Sequence, residues 1–153
     1  MSPAGKWFVA ALLLLLHFAL HPLWSRWPVV PDLVAGGLIL GSLQLRWGRA
    51  AGFGCVIGLM EASISLGPMG LTMLLFSLTG ALVGWVRHLI YSDSDRVTPV
   101  FVFVGTWLLR SAVAIIVVGD WSAGALLVDS VGSAALTTAG CWVAERLVSA
   151  ATR

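Results

Sequence analysis

The sequence predicts an all-α polytopic membrane protein: one integral membrane domain, a bundle of six transmembrane helices with both termini in the cytoplasm. Three observations predict it. Of 153 residues, 59% are hydrophobic and only 10% charged, with a mean hydropathy of +0.96, whereas a soluble domain carries about 25% charged residues. The apolar residues come in long unbroken runs, not in the alternation of a transmembrane barrel strand, and far too densely for a disordered chain. Basic side chains gather on one side of the resulting spans, as the positive-inside rule expects.

Span one runs from Trp7 to Leu23, behind Lys6. It resembles a signal peptide, but His21-Pro22-Leu23-Trp24 follows in place of a small-x-small cleavage site, so it is read as retained. Trp24 to Pro31, with its two prolines and Arg26, is a loop at the membrane surface, since Pro breaks helices and Trp favours the interface. Span two, Asp32 to Leu45, is short for a crossing and is closed by Arg46-Trp47-Gly48-Arg49. Pro31 and Asp32 make its start, because an acid is favoured at a helix N-terminus and Pro suits the first turn. Span three covers Ala50 to Leu66, and Gly67-Pro68 turns the chain into span four, Met69 to Tyr91. The polar stretch Ser92 to Arg96 leads to span five, Val97 to Val118. Gly119 to Ser122 forms a tight turn, with Asp120 or Ser122 suited to cap span six, Ala123 to Val148.

Six spans place Lys6, Arg46, Arg49, Arg87, Arg96, Arg146 and Arg153 on one face and Arg26 alone on the other, seven against one. That bias puts both termini inside. The net charge of +2 is small, and no basic cluster exists beyond Arg46 and Arg49, so no nucleic-acid partner is expected. Cys55 and Cys141 sit in apolar runs and read as small buried hydrophobes.

Small residues, not hydrophobicity, hold helices together in lipid. Gly37/Gly41, Gly54/Gly58 and Gly80/Gly84 each have GxxxG spacing, on spans two, three and four. They serve either internal packing or a face for a partner's helix. On span six, Ser133, Thr137 and Thr138 lie beside Gly132, Ala135, Ala139 and Gly140, and their hydroxyls are expected to bond back to their own helix.

An intramembrane charge costs at least about 2.5–3.5 kcal/mol, so each needs a reason. Arg110 and Asp129 each lie nine residues from the turn at 119–120, roughly 13 Å deep at about 1.5 Å per residue. They are expected to pair across spans five and six, as a structural clamp or as part of a solute or proton path. Glu61, six residues before Gly67, is expected to compete for Arg110, reach outward, or stay protonated. Two acids against one base leave a spare acid as the candidate for contact with another protein or a ligand. His17 and His21 have i, i+4 spacing but no evident third ligand, so a packed or interfacial pair is expected rather than a metal site. No nucleophile elbow, nucleotide loop or paired acid and base emerges; no catalytic residue, cofactor or metal is assigned.

Two stretches resemble a known family. The first is Pro31-Asp32-Leu33, a Gly-containing span, Arg46-Trp47-Gly48-Arg49 and Gly52-Phe53. The second is Gly58-Leu59-Met60-Glu61, then Leu66-Gly67-Pro68-Met69-Gly70-Leu71, then Gly80-x-x-x-Gly84. Over residues 28 to 90 this order is similar to the bacterial rod shape-determining protein MreD family. One departure is Ala62, where the family commonly carries an acid before its Ser-x-Gly-Pro-Leu-Gly turn. The resemblance implies a non-enzymatic, multi-pass subunit of the cytoplasmic (inner) membrane. Such a subunit binds the bitopic protein MreC and is linked indirectly to MreB, RodA and a penicillin-binding transpeptidase. Its role is in side-wall peptidoglycan synthesis and cell shape. Gly54, Gly58, Glu61, Gly67, Pro68 and Gly70 are then the expected docking surface. The rival class is a substrate-binding membrane subunit of a vitamin or small-solute importer, in which the intramembrane charges would contact the solute.

Overall fold

The computed structural model describes residues 3–24, 30–65, 68–89, 97–118, 122 and 128–151, and among them every regular element is helical. The six helices are α1 (Pro3–Trp24), α2 (Leu33–Ser42), α3 (Trp47–Ser65), α4 (Met69–Leu89), α5 (Thr98–Ala112) and α6 (Ser130–Ala151). A π-helical stretch, Val113–Val118, continues α5. Among the described residues two segments, Met69–Arg87 and Thr98–Val117, are long and apolar enough to cross a membrane; Ala4–Leu20 and Leu33–Ser42 are shorter apolar helices.

Neighbouring helices alternate in direction. Trp7 stacks edge-on against Phe53 with ring centroids 5.5 Å apart, and His17 meets Glu61 further along both helices. So α1 and α3 run the same way, and the chain must return between them through α2. The α3–α4 pair is antiparallel: Gly58 lies against Met73 and Gly84 against Trp47. Pairing of Asp32 with Arg110, and of Ile39 with Gly105, sets α5 against α2. α6 runs with α2, since Val30 meets Ser133 and Gly36 meets Cys141.

α2 occupies the centre, and all ten of its residues are buried. A helix apolar all round belongs in a core. Its glycines let the neighbours approach. A Cβ on Gly36 would sit 2.9 Å from Cys141 Sγ of α6, one on Gly37 would sit 2.9 Å from Leu14 of α1, and one on Gly41 would strike Phe53 of α3. Leu38, Ile39 and Leu40 are fully buried among these contacts.

The helix is shorter than the span expected over 32–45. Gln44 and Leu45 donate to the carbonyls of Gly41 and Ser42, three residues back, and the turn ends the helix before the apolar run does. Arg46-Trp47-Gly48-Arg49 leads into α3, with Trp47 to Arg49 in its first turn, and does not close α2. The segments 25–29 and 90–96, the turn at 119–121 and the residues Arg26, Gly67, Arg96, Asp120 and Arg153 lie outside the described residues.

Candidate functional site

Four ionisable side chains on four helices or their caps converge on one cavity of about 360 Å³: His17 of α1, Asp32 before α2, Glu61 of α3 and Arg110 of α5. Local sequence explains each placement. Asp32 is the N-cap of α2, its Oδ1 accepting from the Ala35 amide at 3.0 Å. Pro31 immediately precedes it, outside the helix. The Asp32 amide donates to Thr137 Oγ1 at 2.7 Å, and Ser133 Oγ donates to the Val30 carbonyl at 2.8 Å, so α6 holds the segment leading into α2. Thr137 and Thr138 also bond back to Ser133 and Ala134 within α6, as their spacing suggested. The cross-links from Ser133 and Thr137 had no signal in the sequence beyond their small, polar character.

The other carboxylate oxygen of Asp32 lies 2.9 Å from Arg110 Nε. The contact is an ion pair by distance, with the Nε–H bond out of line for a hydrogen bond. This corrects the expected Arg110–Asp129 pair. Asp129 is exposed, in the π-type turn that precedes α6. The depth count assumed unbroken α-helices on both sides of the turn. The π stretch after Ala112 and the π winding at 128–129 remove that symmetry. Asp32 starts the helix, as its sequence position after Pro31 predicts. Because α2 is short, its cap lies inside the bundle, within reach of α5.

Glu61 Oε2 lies 3.5 Å from His17 Nε2, with side chains 21% and 10% exposed. The separation is too long for a good hydrogen bond, and this Glu61 oxygen is buried without one. His17 is therefore part of the site, facing Glu61; the side chain of His21, its expected pair, lies outside the described residues. Among the described residues no cluster of three His, Cys, Asp or Glu is arranged to hold a metal. Cys55 is half-buried and Cys141 buried, both as free thiols.

The remaining walls are Thr72 and Phe76 of α4, Leu109 of α5, and Val113 and Val117 of the π stretch. That wider turn starts three residues after Arg110 and carries two valines onto the wall. Ser65 and Pro68, both exposed, stand where the cavity meets the surface. The Pro68 carbonyl accepts from the Leu71 and Thr72 amides and from the Thr72 hydroxyl, which fixes the entry to α4.

The expected docking surface divides. Gly54 and Gly58 are buried against the backbone of α4 around Met73 to Ser77, and Gly80 and Gly84 are buried against Ala50 and Trp47 of α3. These four glycines form one internal seam, and Gly37 and Gly41 are likewise internal. So Gly54 and Gly58 present nothing to a partner: removing their side chains is what lets two backbones touch. Gly70 is exposed, with open space where its Cβ would stand, and so are Gly48 and Gly52 on α3, whose GxxxG spacing the reading of the sequence passed over.

No curated protein and no solved structure matches the chain. A family model for the rod shape-determining protein MreD matches residues 1–128. That match spans α1 to α5 and takes in all four ionisable residues of the cavity, as well as the motif order between residues 28 and 90. The chain belongs to the rod shape-determining protein MreD family.

Proposed function

We propose that the chain is a non-enzymatic, multi-pass subunit of the bacterial inner membrane. It forms a single integral membrane domain that binds an MreC-like bitopic protein. Through that protein it is linked to MreB, RodA and a penicillin-binding transpeptidase, in support of side-wall peptidoglycan synthesis and cell shape. The family match over residues 1–128 carries this reading. The geometry favours docking over chemistry: Asp32 and Arg110 pair two helices, and the interior glycines pack them.

Docking is assigned to the lipid-facing side of α3 and the exposed residues after it. Gly48 and Gly52 leave open space at GxxxG spacing, and Pro68 and Gly70 are exposed beyond the end of α3. A glycine facing lipid lacks the packing reason that Gly54 and Gly58 have, and a second helix approaching closely supplies one. Coexpression with an MreC-like protein, mild detergent extraction and affinity capture test this. The wild-type chain retains the partner, whereas Gly52→Leu lowers recovery at least tenfold with its melting temperature unchanged. Undiminished recovery from folded Gly52→Leu and Gly70→Trp would remove the assigned surface. Failure of the wild-type chain to retain the partner would remove the function.

One observation favours the importer reading, the cavity itself, whose volume lies within the usual range of about 300–1,000 Å³ for small-molecule sites. Vitamins that raise the melting temperature of the purified chain would support it.

A further inference from the structure

We propose that the cavity between His17, Glu61 and Phe76 binds a protonated primary amine. Charge counting leads there first. Asp32 and Arg110 are in contact and cancel, and both oxygens of Asp32 are engaged, one by the Ala35 amide and one beside Arg110 Nε. Glu61 carries the remaining carboxylate of the cavity, and its Oε2 is buried without a hydrogen bond, 3.5 Å from His17 Nε2. An ammonium group supplies both the charge and the N–H donors that this carboxylate lacks, and a charge-assisted hydrogen bond is about twice as strong as a neutral one. Phe76 adds an aromatic wall, which also attracts cations. Leu109, Val113 and Val117 line the rest and suit the carbon body of an amine. The Ser65 and Pro68 side, being exposed, gives a small amine its way in. An anion is disfavoured, because the one guanidinium in the cavity already has a carboxylate beside it.

This chemistry has two sources: a free amine, or the headgroup of an aminophospholipid whose tails lie along the bundle. Nothing in the inference depends on docking to an MreC-like protein, so partner capture and ligand binding fail independently.

The full chain in non-ionic detergent is melted with ethylammonium chloride, and in parallel with ethanol, sodium acetate and sodium chloride. Ethylammonium alone is expected to raise the melting temperature, by roughly 2–4 °C at saturation. No rise, or an equal rise with ethanol or acetate, overturns the proposal, and this comparison needs only the wild-type chain. Glu61→Gln, of nearly the same shape, abolishes the ethylammonium shift; a folded variant that keeps it also overturns the proposal. The source is read in nanodiscs of phosphatidylglycerol with and without phosphatidylethanolamine. Stabilisation by the phosphatidylethanolamine discs that Glu61→Gln removes assigns the headgroup. Stabilisation by ethylammonium without it assigns a free amine.

Discussion

Asp32 reaches three helices with one short side chain and its own amide: it caps α2, contacts Arg110 of α5 and is held by Thr137 of α6. Its replacements separate these roles. Asn is as good an N-cap as Asp, so Asp32→Asn removes only the charge, leaving the 40% exposed Arg110 side chain without a counter-ion at a cost of about 1 kcal/mol. Asp32→Ala loses the cap too, about 1 kcal/mol more. Reversible unfolding in mixed micelles should rank wild type above Asp32→Asn above Asp32→Ala. Combining Asp32→Asn with Arg110→Gln should cost less than the sum of the two, because the pair is lost once. Equal stability of the Asn and Ala variants would show that the cap contributes nothing. Glu61 and Arg110 are legible in the sequence because a charge in an apolar run stands out, whereas Asp32 is legible only as a helix start. The pairing of Asp32 with Arg110 is not, because counting residues from a turn gives depth only along an unbroken helix, and α5 changes its winding at Val113. His17 was visible as half of a histidine pair, but its neighbour Glu61 is 44 residues on along the chain.

At the scale of the element, the glycines divide into those another backbone touches and those nothing touches. A methyl group on Gly54 would strike the Phe76 carbonyl, and one on Gly80 the Ala50 carbonyl, both backbone atoms that move only with their helix. Gly54→Ala and Gly80→Ala should each destabilise the bundle by about 1–3 kcal/mol, the usual cost of overpacking. Gly52→Ala meets no atom within 4 Å and relieves the glycine cost in a helix, so it should be neutral or stabilise by up to about 1 kcal/mol. Melting temperatures and the monodisperse fraction after extraction measure all three. A Gly52→Ala as damaging as Gly54→Ala would refute the α3–α4 seam. Spacing alone marked Gly54, Gly58, Gly80 and Gly84 as close-approach positions, for internal packing or for a partner's helix, but it could not say what each one faces. Hydropathy likewise located α1, α3 and α4 to within a few residues and overextended α2, because Leu43 and Leu45 stay apolar after the backbone has turned. It reports how long a segment is apolar, not where its hydrogen-bonding ladder stops.

For the whole molecule, the open question in the sequence was whether span two crosses at all, since ten helical residues extend only about 15 Å, half of a hydrocarbon core near 30 Å. A re-entrant α2 would leave five crossings and put the termini on opposite sides. The register of α1 on α3 argues against it. Residue 7 meets residue 53, and residue 17 meets residue 61, so the two helices run in parallel and the chain between them must come back across the bundle. Burial on every side lets it do so with a short helix flanked by irregular backbone, which lipid would not tolerate but protein does. The same alternation carries Trp47 beside Gly84, gathering Arg46, Arg49 and Arg87 at one end of the α3–α4 pair and leaving the cavity with Ser65 and Pro68 at the other. On the proposed topology, six crossings with the basic end inside, reporters fused to either terminus should both report the cytoplasm: fluorescent as green-fluorescent-protein fusions, inactive as alkaline-phosphatase fusions. A phosphatase fusion within the 25–29 segment, between α1 and α2, should be active. An active phosphatase both at that position and at the C-terminus would mean that α2 turns back, and the basic residues of α4 and α6 would then lie on the wrong side of the membrane.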